Sequence, residues 1–397
     1  MPPGSGPSAV TSPPIRPFGV GSFGIYLHIP FCAARCDYCA FATWTDRHAL
    51  QRPYLAACRT DLERHVAAGM PAATSIFVGG GTPSLVPPAE LAALLAAVPR
   101  VPGCEITVEC NPDDVTPELV DTYRGAGVNR VSVGVQSMAD HVLASLGRTH
   151  DPANVRRAVE LLRVAGMPTF NVDLIYGAAG ESLDDWRRTL DEALALEPPH
   201  VSAYALTVEG GTPLAAAPER HPDDDDQADK YLAAAERLEA AGLGWYEISN
   251  WAKPGHECRH NQLTWAMGEY QAIGCAGHSH RQGRRFWNVR TPERYIAAIE
   301  AGRSPVAAGE LLDASARRLE ALQLALRTRQ GIPADALEPT AAERLGGLVE
   351  RRGHRAVLTR SGRLLANEVA LHVRDSAGQA VVPSGTAEVS VRAGAGE

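Results

Sequence analysis

Six short β-rich runs alternate with helical stretches from residue 23 onward, and this alternation restricts the possible folds more than any other feature. The runs cover 23–29, 74–78, 105–110, 130–135, 169–177 and 200–208. Amphipathic segments lie between them, among them 54–69, 117–127 and 154–166. Consecutive strand and helix units indicate parallel strands joined by right-handed crossovers. We therefore predict an α/β fold, either an open doubly wound sheet or a full or partial barrel, with its chemistry at the carboxyl ends of the strands.

The composition excludes several classes of protein. The 397 residues include 38 Lys plus Arg and 46 Asp plus Glu, a formal net charge of -8. This balance argues against nucleic acid as a partner, because phosphate contacts need clustered cations. A chain of this length buries roughly three quarters of the surface of its unfolded form, so its core does not depend on disulfides. No stretch approaches the roughly 18 uncharged apolar residues of a transmembrane segment.

The two ends of the sequence are rich in small residues. Residues 1–22 contain many Pro, Gly and Ser and lack the apolar core of a signal peptide, so we expect a disordered tail and a cytoplasmic location. In that reducing compartment the eight cysteines are expected to be metal ligands or buried thiols. Residues 376–397 are expected to form a second flexible tail.

Three further segments follow the sixth strand. The run HPDDDDQ (221–227) predicts a solvated acidic loop before another helix. A barrel over 23–243 is expected to be followed by an aromatic and His-rich cap on the barrel mouth over 244–305. Residues 306–375 predict a small winged-helix-like α+β domain, in which a short strand and a Ser-Gly turn precede a helix. Its arginines are expected to form a solvated surface rather than a nucleic-acid face: Arg351, Arg352, Arg355, Arg360 and Arg363.

Three cysteines lie on one loop directly after the first strand. Cys32, Cys36 and Cys39 have the spacing CxxxCxxC, which predicts that they share one centre. Iron-sulfur clusters are normally held by four thiolates, so three would leave one iron of a [4Fe-4S] cluster open to another ligand. A zinc site completed by His28, or three unligated thiols, are the alternatives; structural zinc sites usually have two paired cysteine halves. Four other cysteines lack ligand spacing and indicate core residues: Cys58, Cys104, Cys110 and Cys275.

The YLHIPFC strand end and its three cysteines resemble the cluster motif of the radical S-adenosylmethionine (SAM) enzymes. The resemblance implies a partial six-unit β/α barrel, in agreement with the six units counted above. It also implies that the amino and carboxylate groups of SAM chelate the open iron. An electron from the cluster would cleave SAM to methionine and a 5'-deoxyadenosyl radical, so an electron donor is an expected partner. The protein would contribute binding, orientation and exclusion of water.

Other strand ends match the SAM-binding elements of this superfamily. The glycines of VGGGTPS would let the backbone approach a ligand closely. Carboxylate, amide and guanidinium groups on later strands suit a zwitterionic ligand that bears a ribose. The residues that the resemblance implies for SAM are Gly80, Gly81, Thr82, Glu109, Gln136, Arg148 and Asp173, with Tyr26, Tyr38 and Ala205 as weaker candidates.

Within the superfamily the chain resembles the coproporphyrinogen-III-oxidase-like branch, in which two relatives compete. The oxygen-independent oxidase continues its motif as CxxxCxxCxC, whereas Phe41 stands at the fourth cysteine position here. HemW-type haem chaperones have CxF at this point, as Cys39, Ala40 and Phe41 do. The oxidase also has a longer region before the cluster loop. The resemblance therefore implies a haem chaperone that passes haem to acceptor proteins, such as membrane respiratory enzymes, with radical decarboxylation of coproporphyrinogen III as the alternative.

The segment CRHNQLTW (258–265) resembles the HNxxYW haem-binding motif of these chaperones. His260, Asn261 and Trp265 are in register, but Thr264 replaces the tyrosine and removes one aromatic contact. Imidazole is a common axial ligand of haem iron, so the resemblance implies haem on His260. The alternative is a structural His260 that bonds a backbone carbonyl. Other ligands lie nearby in the sequence: His256, Cys258, His278 and His280.

Overall fold

The computed structural model of the protein describes residues 21–338 and 344–375. The chain divides into two compact units, the first ending at Asp313 and the second starting at Ala314. Apart from residues 21 and 22, the predicted tails 1–22 and 376–397 lie outside the described residues. No described helix combines the length and the apolar character needed to cross a membrane.

One sheet organises the first unit. Its strands are β1 (Phe23–Ile29), β2 (Ala73–Gly80), β3 (Arg100–Cys110), β4 (Arg130–Gln136), β5 (Thr169–Tyr176), β6 (His200–Ala205), β7 (Gly244–Glu247), β8 (Asn250–Ala252), β9 (Glu269–Ile273), β10 (His278–Arg281), β11 (Arg284–Asn288) and β12 (Val306–Leu311). Their order in the sheet is β12-β11-β10-β9-β1-β2-β3-β4-β5-β6-β8-β7. The six central strands pair in parallel, as the alternation predicted.

Helices connect these strands. They are α1 (Gln51–Ala67), α2 (Pro88–Ala96), α3 (Pro117–Gly125), α4 (Asp140–Ser145), α5 (Pro152–Val164), α6 (Leu183–Ala195), α7 (Asp224–Ala240), α8 (Arg259–Trp265) and α9 (Pro292–Glu300). Short 3-10 helices cover His48–Leu50, Pro83–Leu85, Pro112–Asp114 and Pro218–Arg220. Local sequence sets several boundaries: Ser182 forms a capping box with Asp185 at the start of α6. Thr116 caps α3 by accepting from the backbone N–H of Leu119.

The six parallel strands form a partial barrel rather than a closed one. Strand β9 lies beside β1 and strand β8 lies beside β6, so the two end strands of the six do not pair with each other. In β1, Ile25, Leu27 and Ile29 are at most 1% exposed. Such complete burial is expected where helices cover a parallel sheet. The partial α/β barrel predicted from the sequence is therefore confirmed.

Two segments differ from the sequence prediction. The acidic run is mostly helical, because α7 begins at Asp224 and Asp223 accepts from the backbone N–H of Asp226. Carboxylates are favoured there by the positive end of the helix dipole. Residues 244–305 do not form a separate cap: β7 and β8 extend the sheet beyond β6, and β9 to β11 extend it beyond β1. Because β12 pairs with β11, the first unit continues past residue 305.

The second unit is small. It contains α10 (Ala314–Leu326), β13 (Ile332–Pro333), β14 (Val349–Arg352), β15 (Arg355–Leu358), α11 (Arg360–Leu364) and α12 (Ala366–Ala370), with a 3-10 turn at Ala334–Ala336. Its three strands are antiparallel in the order β13-β15-β14. A helix followed by a β-hairpin and two short helices supports our proposal of a winged-helix-like unit.

Candidate cofactor and haem sites

The cysteine loop starts at the carboxyl end of β1, and backbone hydrogen bonds join its first residues to its last. The backbone N–H of Cys32 donates to the Trp44 carbonyl over 3.1 Å, and that of Cys39 donates to the Cys36 carbonyl over 3.2 Å. All three cysteines are half-buried, and burial raises the pKa of the Cys32 and Cys39 thiols. Within residues 21–338 and 344–375, no group of three His, Cys, Asp or Glu side chains is already arranged to hold a metal ion. A cluster therefore requires the three thiols to turn toward a common centre.

His28 does not complete a zinc site with these cysteines. Its Nδ1 atom lies 3.1 Å from the Tyr26 hydroxyl, and its Nε2 atom lies 3.0 Å from the Ala42 carbonyl oxygen. Burial lowers the pKa of the ring to about 4, so the imidazole is neutral at ordinary pH. Both ring nitrogens already have partners, and His28 serves as a structural support of the loop.

The glycine loop after β2 packs directly against the cysteine loop. A Cβ atom on Gly80, which has φ +114°, would lie 2.5 Å from the His28 ring. A Cβ atom on Gly81 would lie 2.6 Å from the Phe31 carbonyl oxygen and 3.0 Å from Cys32 Sγ. Only glycine permits this approach, since real Cβ atoms do not come so close. The glycine loop therefore places backbone without side chains next to the cysteines. A ligand bound close to the backbone at this point would need such an arrangement.

Thr82 and Arg148 contact the cysteine sulfurs. The Thr82 hydroxyl donates to Cys32 Sγ over 3.6 Å, and Arg148 Nη1 donates to Cys36 Sγ over 3.7 Å. Arg148 Nη2 donates to the carbonyl oxygen of Gly134 over 2.8 Å. The buried Nε of Arg148 has no hydrogen-bond partner among the described residues. Arg148 therefore places a positive charge and an unused N–H donor beside the cysteines, which bind iron as thiolates. This arrangement suits an anionic cluster and a ligand that bears a carboxylate.

Two half-buried carboxyl groups lie on β3 and β5. Glu109 Oε2 accepts from the backbone N–H of Gly80 over 3.2 Å. Burial, and secondarily the charge of Asp173, raise the pKa of Glu109 to about 8. Burial also raises the pKa of Asp173, although Ser132 and Asn171 donate hydrogen bonds to it. Neighbouring carboxylates of this kind are stabilised by a cationic group between them, such as the ammonium of an amino acid.

The remaining residues predicted for SAM lie at the same edge of the sheet or near it. The Tyr26 ring stacks on Phe77 at a centroid distance of 6.4 Å. Tyr38 packs against a buried apolar cluster that includes Leu146, Ile175 and Leu206. Gln136 ends β4 with the left-handed φ of +62°, and Ala205 is the exposed last residue of β6. The donor set and the glycine cradle together fit a [4Fe-4S] cluster with SAM.

The haem-motif helix α8 lies at the other end of the barrel. A Cβ atom on Gly24 would lie 3.1 Å from Cε1 of His260 and 2.8 Å from Cδ2 of Leu263. Ser75 Oγ lies 3.1 Å from His260 Nδ1. Gly24 and Ser75 stand near the starts of β1 and β2, whereas Gly80 ends β2. Five strand residues span about 16 Å, so the haem motif and the cysteine loop are at opposite ends of the strands.

His260 is enclosed in this position. Its side chain is 5% exposed and lies 5.5 Å from the Phe77 ring and 6.4 Å from the Tyr270 ring, measured between centroids. Burial lowers its pKa to about 4, so the imidazole is neutral. Glu105 holds the start of α8 by accepting from the backbone N–H groups of Arg259 and His260, each over 3.1 Å. His260 thus bonds the Ser75 hydroxyl and not a backbone carbonyl.

The other motif residues surround the same helix. The Thr264 hydroxyl donates to the Asn261 carbonyl over 2.8 Å and therefore turns toward the helix backbone. The Trp265 ring lies 5.8 Å from the Tyr246 ring. Asn261 is half-buried. The structure thus keeps the aromatic contact of Trp265 but gives Thr264 a local role that a tyrosine could not have.

The alternative ligands near the motif have separate surroundings. Cys258 Sγ lies 3.6 Å from Glu105 Oε1. His256 Nδ1 lies 2.8 Å from the Thr169 hydroxyl, and His280 Nδ1 lies 3.0 Å from the Gly268 carbonyl. His278 is exposed and stacks on Trp287 at 5.5 Å. These groups do not converge with His260 on one centre.

Sequence reasoning missed the polar residues inside the barrel. Ser75, Glu105, Asn171, His200 and Tyr246 are buried and hydrogen-bonded there. Each stands alone among apolar strand residues, and nothing in its local pattern indicates a partner. A polar residue at an inward position of a buried strand is the one signal that could have drawn attention to them.

Comparisons with known proteins identify the family of the chain. The Radical SAM superfamily pattern matches residues 26–193. A Mycobacterium tuberculosis H37Rv protein named Heme chaperone HemW is 42% identical over 377 residues, which cover 91% of this chain and 97% of that protein. Proteins of the same name from Escherichia coli K12 and Bacillus subtilis 168 are 34% and 32% identical, each over 87% of this chain and 96% and 97% of their own lengths. The chain belongs to the HemW family.

The match to the Radical SAM superfamily implies a [4Fe-4S] cluster and SAM. The resemblance recognised in the sequence is therefore confirmed. The solved structure of coproporphyrinogen III oxidase (HemN) from Escherichia coli, a radical SAM enzyme, superposes on this chain with a TM-score of 0.76. It is 19% identical and covers 88% of this chain and 89% of that chain. At 19% identity, this similarity shows only that the two proteins share a fold.

Proposed function

We propose that this protein is a haem chaperone, which binds haem and transfers it to acceptor proteins while carrying a [4Fe-4S] cluster and SAM. The observation that carries the proposal is the match, over nearly its whole length, to a relative named Heme chaperone HemW at 42% identity. An electron donor and acceptor proteins, membrane respiratory enzymes among them, are part of the proposal. So is a cytoplasmic location, because the cluster thiols must remain reduced.

The chain's own cluster loop supports the chaperone over the oxidase. Phe41 stands where the oxidase motif has its fourth cysteine, and its side chain is 69% exposed. The other exposed positions of this loop are small or polar, among them Ala33, Ala34 and Arg35. Position 41 therefore carries an exposed apolar side chain in this chain, whereas the oxidase motif has a cysteine thiol there.

The residues at the carboxyl ends of the strands would hold the cluster and SAM. Cys32, Cys36 and Cys39 supply the thiolates, while Gly80, Gly81, Thr82, Glu109, Gln136, Arg148 and Asp173 receive SAM, with Tyr26, Tyr38 and Ala205 at its border. When bound, the cluster and SAM supply one-electron chemistry. The chain binds and orients the two groups and excludes water from them. In a chaperone we expect them to regulate or stabilise the protein more than to catalyse a reaction.

His260 is the proposed haem ligand, with Asn261 and Trp265 beside it. Its Nδ1 atom pairs with Ser75 Oγ over 3.1 Å, which leaves Nε2 as the nitrogen for iron. A neutral imidazole is the form that coordinates haem iron, and burial keeps this ring neutral.

One pair of anaerobic assays tests the proposal against the oxidase alternative. Protein reconstituted with iron and sulfide is incubated with coproporphyrinogen III, SAM and dithionite, and the tetrapyrroles are separated by chromatography. We expect no protoporphyrinogen. The same protein loaded with haem is mixed with apomyoglobin, and we expect haem to appear on the apomyoglobin. Sustained formation of protoporphyrinogen without haem transfer would establish the oxidase instead.

A further inference from the structure

A continuous chain of hydrogen bonds runs through the barrel interior from Asp173 to the start of α8. Asp173 Oδ1 accepts from Asn171 Nδ2 over 2.7 Å, and Asn171 Oδ1 pairs with His200 Nδ1. His200 Nε2 lies 2.6 Å from the Tyr246 hydroxyl, whose oxygen accepts from the backbone N–H of Cys258 over 3.2 Å. Asn171, His200, Tyr246 and Cys258 are at most 2% exposed. We call Asn171, His200 and Tyr246 the relay.

The hydrogen bonds of Asn171 fix which atoms donate and which accept along the relay. Asn171 Nδ2 donates to Asp173 and to the Ser132 hydroxyl, so Asn171 Oδ1 must face His200 as an acceptor. His200 Nδ1 therefore carries the proton, and Nε2 accepts from the Tyr246 hydroxyl. Burial and the Arg130 charge lower the pKa of His200 well below its usual range, which keeps the ring neutral with a single proton. Because each member is polarised by the next, a change at one end alters the strength of the bond at the other.

Helix α8 has to leave its present position before His260 can bind haem iron. The imidazole is 5% exposed and walled by Phe77 and Tyr270, so no macrocycle can reach Nε2. Moving α8 breaks the bond from Cys258 to Tyr246 and the bonds that Glu105 accepts. The Tyr246 bond is thus one of the bonds that hold α8 closed, together with the Ser75–His260 bond and the bond from Arg259 to the Gly103 carbonyl.

We propose that the relay couples SAM at Asp173 to the opening of α8, which makes His200 and Tyr246 positioning residues for haem binding. The inference rests on the proposed function, which places SAM beside Asp173 and haem on His260. A hydroxyl of SAM that donates to Asp173 competes with Asn171 and Ser132 for the same carboxylate. The weakened relay then holds Cys258 less firmly, and α8 opens more often. Since linkage between two ligands is reciprocal, SAM and haem each tighten binding of the other.

Hydrogen exchange of the backbone amides in 258–265 tests this coupling without haem. The cluster-loaded full-length protein is compared with and without saturating SAM. In the wild type we expect SAM to speed exchange of these amides by about fivefold or more. In Tyr246→Phe, which keeps the ring but removes the hydroxyl, the amides should exchange faster from the start and should not respond to SAM. His200→Phe should behave in the same way.

Tyr295→Phe is the matched control. It also removes a buried tyrosine hydroxyl, one that donates to Asp61 over 2.6 Å and accepts from the Gly274 N–H over 3.1 Å, but it lies outside the relay. It should respond to SAM as the wild type does. Equilibrium dialysis and thermal melting confirm that each variant binds SAM and is folded.

The outcomes separate the coupling from the proposed function. The coupling is overturned if bound SAM does not change exchange in the wild type. It is also overturned if Tyr246→Phe responds to SAM as Tyr295→Phe does, or if the protein does not bind SAM. Haem titration of the same samples should show affinity about fivefold or more tighter with SAM in the wild type and equal with and without SAM in Tyr246→Phe. A wild type that responds to SAM in exchange but binds no haem contradicts the chaperone proposal and leaves the coupling standing.

Discussion

The Ser75 hydroxyl lies 3.1 Å from Nδ1 of His260, with both side chains buried. This hydrogen bond joins α8 to the start of β2, and it has to break when α8 opens to admit haem. We expect Ser75→Ala to tighten haem binding about fivefold in a Soret titration, because the closed position of α8 loses one of its buried hydrogen bonds. Ser137→Ala, which removes another buried hydroxyl, is the control. Equal haem affinities of the two variants would show that the Ser75 bond does not hold α8 closed.

The cluster assignment predicts a sharp difference among cysteine variants. Cys32→Ala, Cys36→Ala and Cys39→Ala should each lose most of the iron, because three thiolates are the minimum for this cluster. Anaerobically reconstituted wild type and Cys104→Ala should keep about four irons per chain, since Cys104 is a buried core thiol. Iron and sulfide analysis measures this difference. Full iron content in a variant of the three motif cysteines would contradict the ligand set.

Gly80→Ala tests the close approach of the glycine loop. The new methyl group would meet the His28 ring at 2.5 Å, in addition to the strain of φ +114°. Gly69→Ala has φ +82° but no atom within 4 Å, so it measures backbone strain alone. We expect Gly69→Ala to cost about 1 kcal/mol of folding free energy and to bind SAM normally. Gly80→Ala should lose at least about tenfold in SAM affinity by dialysis, and normal affinity would show that the loop does not cradle SAM.

Glu109 should make stability depend on pH in the cofactor-free protein. Burial raises its pKa from 4.5 to about 8 in the folded protein, so the stabilising contribution of the bound proton is complete below about pH 4.5 and is lost as the pH rises through about 8. Between about pH 5 and pH 8, the free energy of unfolding should fall by about 3 to 4 kcal/mol more in the wild type than in Glu109→Gln. Urea unfolding measures it, with the exposed Glu118→Gln as control. Parallel pH profiles of wild type and Glu109→Gln would mean that folded Glu109 is already ionised.

The central strands could be predicted because their apolar runs are continuous and because glycine residues mark the ends of helices between them. The run 23–29 matches β1 at both ends. The start of β3 at Arg100 was missed, since Pro102 and Gly103 interrupt the pattern that strand residues normally show. A run of acidic residues usually indicates a solvated loop, whereas here the aspartates lie at the N-cap and in the first turn of α7, where the helix dipole favours them.

The position of the haem motif could not be predicted in the same way. Residues near the carboxyl ends of parallel strands meet because of topology, so the cysteine loop, Gly80 and Glu109 could be grouped from the sequence. Helix α8 follows an antiparallel pair of strands beyond β6 and returns to the starts of β1 and β2. No local pattern encodes that return, nor the relay, whose members Asn171 and Tyr246 are 75 positions apart.

Haem titration of the wild type beside His260→Ala tests the central claim most directly. The account predicts a Soret band that saturates at about one haem per chain in the wild type and in His256→Ala, and that is lost in His260→Ala. His256 is a suitable control because its Nδ1 atom already pairs with Thr169 outside the proposed site. Haem binding by His260→Ala with the affinity and spectrum of the wild type would contradict the account.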